Sequence, residues 1–317
     1  MKRISKIMLF LLAAAMCVAI TGQTASAEIV GFVKEGNNYT TLAIAGAWET
    51  NPSDINNSDQ IVGSAYYGKD GTHGFIYDGL SFTTFDVPGS VSTRLYGIND
   101  SGQIVGGYSK DGEYHGFIYD GINFTNLDVP GANVTWAYDI NNSGKIAGAY
   151  IKDGHHGFIY DGLTFTTIDV PGAYHTWALG INDADQVVGY YQTYGPYSNQ
   201  YGFIYEGGSY TTLDVPGTYG NHAYGINDQG KIVGRCDEVG GGHGFIYDGV
   251  SYNTFNVPEG YGTTSAFGMN DSDKIVGCYS PGSVCPLPST MLLLGSGLIG
   301  LIALHRKLFF KKRPAVR

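Results

Sequence analysis

Between residues 31 and 280 the chain alternates short apolar runs with polar punctuation, and the pattern recurs. One unit, Gly74 to His115, reads GFIYDGLSFTTFDVPGSVSTRLYGINDSGQIVGGYSKDGEYH. Four strand-like pieces stand in it: GFIY, FTTFDV, RLYGI and QIVGGY. Each is short and rich in β-branched or aromatic residues, which favours strands over helices. In FIY, Phe75 and Tyr77 face one way and Ile76 the other, so both faces are apolar. That suits a sheet packed between neighbours on either side. The connections carry turn chemistry. DGL after the first piece is a tight hairpin signal. NDSG between the last two suits a type I turn whose fourth residue is left-handed, where Gly carries no Cβ penalty. The six versions start at Asn56, Asn99, Asn141, Asn182, Asn227 and Asn270. Where Gly is absent the fourth residue is Asp59, Asp185 or Asp273, and Asp tolerates that conformation better than most residues.

The opening glycine recurs at Gly31, Gly74, Gly116, Gly157, Gly202 and Gly244, at spacings of 43, 42, 41, 45 and 42 residues. A fixed period in this range marks a propeller or a solenoid array. Four strands in about 42 residues make one blade. The pattern therefore predicts an all-β fold, a six-bladed β-propeller of four-stranded blades over residues 28–282. An open stack of sheets is the alternative, but it would need polar capping repeats. No atypical repeat stands at either end, which favours closure. The order of pieces resembles kelch-type blades, with RLYGI innermost, then QIVGGY, GFIYDG and FTTFDV. On that framing GFVKEGNNYTTL, near the start, supplies the outer two strands of the last blade. AFGM and KIVGCY, near the end, supply its inner two, so both chain ends pin the ring.

The ends outside this body read differently. Lys2, Arg3 and Lys6 precede an apolar run from Ile7 to Ile20, and Ala25 and Ala27 fit a small-residue cleavage pattern. Residues 1–27 are predicted to be a signal peptide cut after Ala27. At the other end the apolar stretch Met291 to Leu304 is followed by six basic residues from Arg306 onward. Residues 291–310 are predicted to form a transmembrane segment with its basic flank held cytoplasmic. The two ends hold nine of the 18 Lys and Arg and none of the 28 Asp and Glu. So acidic a body repels phosphate backbones, which argues against nucleic acid as a partner. Cys236, Cys278 and Cys285 leave the exported part with an odd number of thiols and no defined disulfide framework.

The units HGFIYDG, FTTFDVPG or YTTLDVPG, and AYGIND followed by KIVG or QIVG resemble the HAF repeats of bacterial extracellular proteins. The tail VCPLPSTMLLLGSGLIGLIALHRKLFFKK, residues 284–312, is similar to PEP-CTERM sorting signals: a Pro-x-Pro motif, an apolar stretch and a basic end. Pro286, Pro288, Ser289 and Thr290 carry the motif, with Leu287 where that family usually has Glu. The resemblance implies a sorting tail over residues 283–317, recognised by an exosortase-type peptidase, and a destination at the cell surface or beyond it.

His73, His115, His156 and His243 occupy matching positions in HGFIYDG. On separate blades they would stand around a ring, whereas a metal ion needs its ligands converging at about 2 Å. They are read as structural, and no metal or cofactor is expected. Asp78, Asp120, Asp161 and Asp248, like Asp100, Asp183, Asp228 and Asp271, fall in repeated turns. Catalytic carboxylates are instead singular and close together. The informative positions are those that vary within the constant frame. Five residues before each turn Asn stand Asn51, Arg94, Trp136, Trp177, His222 and Ser265. These fall near the start of the innermost strands, at the mouth of the central channel. The fourth unit adds a longer loop with Tyr194 and Tyr197 on the same face. Arg94, Trp136, Trp177, His222, Tyr194 and Tyr197 are the candidate ligand-binding residues, since aromatic faces beside polar groups suit sugar rings. The sequence thus favours a non-enzymatic binder of extracellular polysaccharide or of an envelope protein. A carbohydrate-active enzyme at the channel mouth and a purely structural envelope protein remain alternatives.

Overall fold

The computed structural model describes residues 29–195, 199–258 and 260–281. Ala25 and Ala27 of the signal segment, Tyr197, and the sorting tail with Pro286, Pro288, Ser289 and Thr290 lie outside the described residues. No helix among the described residues is long and apolar enough to cross a membrane.

Among the described residues, twenty-four strands make up the body. The chain opens with β1 (Val30–Glu35) and β2 (Asn38–Leu42). Next come β3 (Glu49–Ile55), β4 (Ile61–Tyr66), β5 (Thr72–Tyr77) and β6 (Phe82–Phe85). The following unit holds β7 (Ser92–Ile98), β8 (Ile104–Lys110), β9 (Glu113–Tyr119) and β10 (Phe124–Leu127). After it come β11 (Val134–Ile140), β12 (Ile146–Ile151), β13 (His155–Tyr160) and β14 (Phe165–Ile168). Then follow β15 (His175–Ile181), β16 (Val187–Gln192), β17 (Gln200–Glu206) and β18 (Ser209–Leu213). The last full unit is β19 (Gly220–Ile226), β20 (Ile232–Glu238), β21 (Gly241–Tyr247) and β22 (Tyr252–Phe255). The chain finishes with β23 (Gly260–Met269) and β24 (Ile275–Pro281).

Within each unit the strands pair antiparallel in chain order, as the hairpin turns dictate. Ring closure follows the predicted route. β1 pairs antiparallel with β24, giving the order β2-β1-β24-β23 from both ends of the chain. The count of separate blades differs from the expectation of six. Four sheets stand alone with four strands each, and β7 to β14 form one eight-stranded sheet. The two units of that sheet are joined by a single parallel bridge, Val134 opposite Tyr114.

The apolar pair that opens each second strand, Ile-Val in four of the six units, explains the apolar character of both blade faces. Ile61, Ile104, Ile146, Val187, Ile232 and Ile275 pack in their own unit's core. Their neighbours Val62, Val105, Ala147, Val188, Val233 and Val276 pack in the core of the next unit round the ring, Val276 reaching the first. The glycine that comes next is set by a close approach. At Gly63, Gly106, Gly148, Gly189, Gly234 and Gly277 a Cβ would collide with the inner strand's carbonyl oxygen, with a buried Phe ring beside it. These rings, Phe75, Phe117, Phe158, Phe203, Phe245 and Phe32, are at most 2% exposed and come from the GFIY and GFVK pieces.

The turn asparagines close a second, polar ring. Each side-chain amide donates to the carbonyl of the equivalent Asn in the next unit. Asn56 reaches Asn99, then Asn141, Asn182, Asn227 and Asn270 continue the series, and Asn270 returns to Asn56, at 3.0–3.3 Å. Each Asn Oδ1 meanwhile accepts from its own turn, as Asn56 does from the backbone of Ser58 and Gln60. One side chain must donate and accept at once, so Asp cannot replace it. The left-handed fourth turn positions are also as predicted: Asp59, Asp185 and Asp273 have φ of 62–63°.

Asn182 is 2% exposed, and its amide bridges to Asn227 O at 3.1 Å. Asn182→Asp removes the donor and sets a carboxylate against a buried carbonyl. It should cost at least about 2 kcal/mol at neutral pH, read as a lower denaturation midpoint. A change within about 0.5 kcal/mol, the range of a bland surface substitution, would show that the ring is dispensable.

Candidate functional site

The inner strands β3, β7, β11, β15, β19 and β23 line a central channel. All six share a β-bulge at the equivalent position, with register shifts at Pro52/Asp54, Leu95/Gly97, Ala137/Asp139, Ala178/Gly180, Ala223/Gly225 and Ala266/Gly268. A bulge leaves one residue unpaired and re-aims the side chains beyond it. The bulged residues are Ser53, Tyr96, Tyr138, Leu179, Tyr224 and Phe267, and all six face the channel.

Towards the crossover loops the channel widens into a cavity of about 420 Å³. The structure brings Arg94, Trp177 and His222 together in its wall, with Asn51. Sequence reasoning missed Tyr96, Tyr138, Tyr190 and Tyr224, which line it too. The sequence does carry a signal for three of these, since each stands two residues beyond the varied position on the same strand. Strict strand alternation does not foresee the bulge. Trp177 and Tyr190 stack, with centroids 4.5 Å apart and planes at 17°. Tyr190 in turn meets His222 at 4.1 Å. Burial pushes the Tyr190 phenol up to about 12.

Two of the candidates are placed elsewhere. Trp136 leans over Gly107, which has no side chain to block it, and stacks on His155 with planes at 2°. It does not line the cavity. Tyr194 is 74% exposed and packs on Tyr174 at 4.6 Å, outside the cavity wall. Ser265, the sixth of the varied positions, is buried.

His222 lines the cavity as a neutral ring. Burial pushes it down to about 4. Its Nε2 lies 2.6 Å from Gln200 Oε1 and its Nδ1 3.0 Å from the Tyr224 hydroxyl. The tautomer that satisfies both donates from Nε2 and accepts at Nδ1. Among the described residues, Arg94 is then the single charged side chain in the wall.

Beneath the bulged residues the channel narrows to a space of about 40 Å³. Two carboxylates border it, Asp54 and Asp139, and the matching positions of the other four units are Gly97, Gly180, Gly225 and Gly268. These glycines lie against the neighbouring inner strand, and Gly97 and Gly268 face the two aspartates themselves. Asp54 accepts from the Ile98 N–H at 2.9 Å, and Asp139 accepts from Ile140 and Ile181 at 2.8 Å each. The repeat pattern does not single out these non-repeating acids, because the repeated turn acids outnumber and mask them. Desolvation pushes Asp139 up to about 7. It also holds Asp54 well above the carboxylate range, with the charge of Asp139 adding to the rise.

The four matching histidines do not converge. His73, His115 and His156 each bond through Nδ1 to an aspartate thirteen residues on, Asp86, Asp128 and Asp169, at 2.8–2.9 Å. His243 pairs with Asn256 in the same way. The turn acids Asp78, Asp120, Asp161 and Asp248 each accept two backbone N–H bonds from their own turn. Those bonds lower their pKa values. Asp100, Asp183, Asp228 and Asp271 join Asn57 and Asn142 in a ring at the other mouth, each backbone N–H donating to the next side chain.

Residues 284–307 match the model of the PEP-CTERM protein-sorting motif. No curated protein sequence matches the chain. Among solved structures, one described as a TolB from Agrobacterium tumefaciens aligns with a TM-score of 0.60 and 9% identity, over 80% of this chain and 98% of that one. TolB from Acinetobacter baumannii aligns with a TM-score of 0.52 and 13% identity, over 75% of this chain and 66% of that one. Both show the propeller fold and nothing further. The fucose-binding lectin of Aleuria aurantia, a six-bladed propeller, aligns at 15% identity and a TM-score of 0.45, over 70% of this chain and 84% of that one. At that level it bears on neither blade number nor ligand.

The buried acids give a pH dependence of definite sign. A folded pKa raised above the unfolded value, about 3.9 for Asp, means that the native state binds the extra proton. The associated stability is full below about pH 4 and is lost as pH rises through about 7. Asp139→Asn should therefore gain in melting temperature, relative to the parent, between about pH 5 and pH 8. A difference that stays constant across that window would contradict the buried-proton assignment.

Proposed function

We propose that this chain is an exported propeller that binds a saccharide in the channel-mouth cavity and is sorted through its C-terminal tail. The eight-stranded sheet serves as two blades, so that six units surround the channel. The HAF-like repeats and the sorting motif at residues 284–307 support passage across the inner membrane, handling by an exosortase-type peptidase and residence at the cell surface. The observation that carries the binding reading is the aromatic shelf of Trp177 and Tyr190, set in a 420 Å³ cavity with polar groups around it. Small-molecule sites commonly have this size and this mixture of apolar wall and few polar groups. Sugar rings offer apolar C–H faces to such a shelf and hydroxyls to the rim. A protein loop entering the same cavity would need its own aromatic or polar tip and would use the same shelf.

A second reading, a carbohydrate-active enzyme, draws on Asp54 and Asp139. They are the non-repeating pair of acids such an enzyme would need, and their raised pKa values suit acid–base work. It is the weaker reading, because both carboxylates are engaged by backbone N–H groups and lie below the bulged tyrosines.

Retention on immobilised extracellular polysaccharides tests the binding reading with the full-length chain in detergent. Trp177→Ala should reduce retention at least about tenfold, in line with the loss of a stacking contact worth about 1–2 kcal/mol. Trp136→Ala, whose ring packs on His155, should keep it. Equal retention by the parent and Trp177→Ala, with unchanged melting temperatures, would sink the assignment. Release of new reducing ends by the parent, abolished in Asp139→Asn, would favour the enzyme.

A further inference from the structure

The cavity has two unlike walls. One is the Trp177–Tyr190 shelf with neutral His222. The other is built around Arg94, on β7. Its side chain is exposed to the cavity and makes no hydrogen bond or ion pair among the described residues. Lys34, Lys69, Lys110 and Lys152 also form no ion pair among the described residues, but Arg94 is the basic side chain that lines the cavity. Arg235 offers the contrast, held by Asp237 through Nε and Nη2 at 2.9 and 2.6 Å. Lys145, Lys231 and Lys274 are likewise paired with aspartates.

Beside Arg94 stand Tyr96 and Tyr138, whose rings lie 5.1 Å apart. Neither hydroxyl has a protein hydrogen-bond partner among the described residues, and both line the same cavity. The guanidinium is close enough to favour the ionised form of each phenol, although burial dominates and holds both pKa values up. A planar, unpaired guanidinium beside two phenols in the same wall presents several donors and no competing carboxylate. Such a donor set is matched by a carboxylate, which accepts a two-point contact from arginine.

We propose that the bound saccharide is acidic, a uronate-type sugar whose carboxylate is held by Arg94 beside the Tyr96 and Tyr138 hydroxyls while a sugar ring rests on the Trp177–Tyr190 shelf. This rests on the saccharide-binding reading and narrows it. A neutral sugar would leave the guanidinium unpaired after expelling its water, which costs affinity. The general acidity of the body would repel such a ligand at long range, so Arg94 supplies the local exception.

Calorimetric titration of the full-length chain in detergent decides it. The probes are oligosaccharides of glucuronate, galacturonate and mannuronate, with their neutral glucose, galactose and mannose counterparts of equal length. The parent should bind at least one uronate series about tenfold or more tighter than its neutral counterpart, with the preference weakening as salt rises. Arg94→Ala should abolish the preference, Arg94→Lys should restore part of it, and Trp177→Ala should weaken both members of the pair. Equal affinity for acidic and neutral series, or a preference that survives Arg94→Ala, overturns the acidic assignment and leaves saccharide binding standing. Absence of binding to every probe by the folded parent overturns both.

Discussion

The structure depends on one side chain used six times. The turn asparagine accepts from its own turn and donates to the backbone of the next unit, so one group fixes local geometry and ring register together. Hydrophobic contact alone would not set that register, since the core is made of near-identical Phe, Ile and Val positions that could pack equally well after a slip. The amide has two hydrogens, and in five units the second is also answered. In three units the acceptor is a glutamine of the same turn, Gln60, Gln103 or Gln186. In two others it is the next unit's turn aspartate, Asp185 for Asn141 and Asp59 for Asn270. A buried donor left without an acceptor is costly, and the ring avoids this by two routes.

Those two routes are written in the sequence as a pairing between units. Gln60, Gln103 and Gln186 precede units whose turns end in Gly102, Gly144 and Gly230. Lys145, Lys231 and Lys274 precede units whose turns end in Asp185, Asp273 and Asp59, and each lysine forms an ion pair with that aspartate. The match holds at all six boundaries, including Lys274 with Asp59 across the closure. These pairs are exposed and individually worth little. Their value is in distinguishing one neighbour from another in a ring of near-repeats, which is how charge gives specificity more than strength. The alternation of Gln with Gly and Lys with Asp is therefore independent evidence in the sequence that the last unit meets the first. Backbone conformation alone, the property for which turn residues are usually judged, does not disclose it.

The strand pieces, the turns, the left-handed aspartates and the closure by both chain ends are legible in the sequence because each rests on local rules: period-two alternation, turn chemistry and repeat length. The channel is only half legible. Counting back from the turn Asn finds Arg94, Trp177 and His222, since that position meets the cavity on four of the six inner strands. It also selects Trp136, which the missing side chain at Gly107 lets swing over the neighbouring strand. The bulge accounts for most of the remainder. Residues 96, 138 and 224 share the channel face by alternation, and the bulge at them brings the next position inward as well. A strict alternation assigns those next residues to the opposite face, which is why it passes over Asp54 and Asp139. The single bridge between Val134 and Tyr114, which joins two units into one sheet, depends on how far strand edges extend, and no side-chain pattern records that.

The two ends of the channel have different freedoms for a physical reason. At the turn end the first two turn positions of every unit are committed to hydrogen bonds that run to a neighbouring unit, so a change in one unit breaks a contact in another. At the crossover end the positions are bound to the frame through their backbones, with the IVG glycines pressed against the carbonyls of residues 51, 94, 136, 177, 222 and 265. Among the described residues, their side chains make no hydrogen bond that recurs from unit to unit. Arg94, Trp177 and His222 can therefore differ from one another without disturbing the ring. Asp54 and Asp139 lie between the two regimes. They are held by backbone donors as the frame requires, yet they replace glycine in only two of six units, so the frame does not require them. The pair is thus an addition to the frame: two carboxyls whose pKa values desolvation raises, set in an enclosed neck where four neighbouring units manage with glycine.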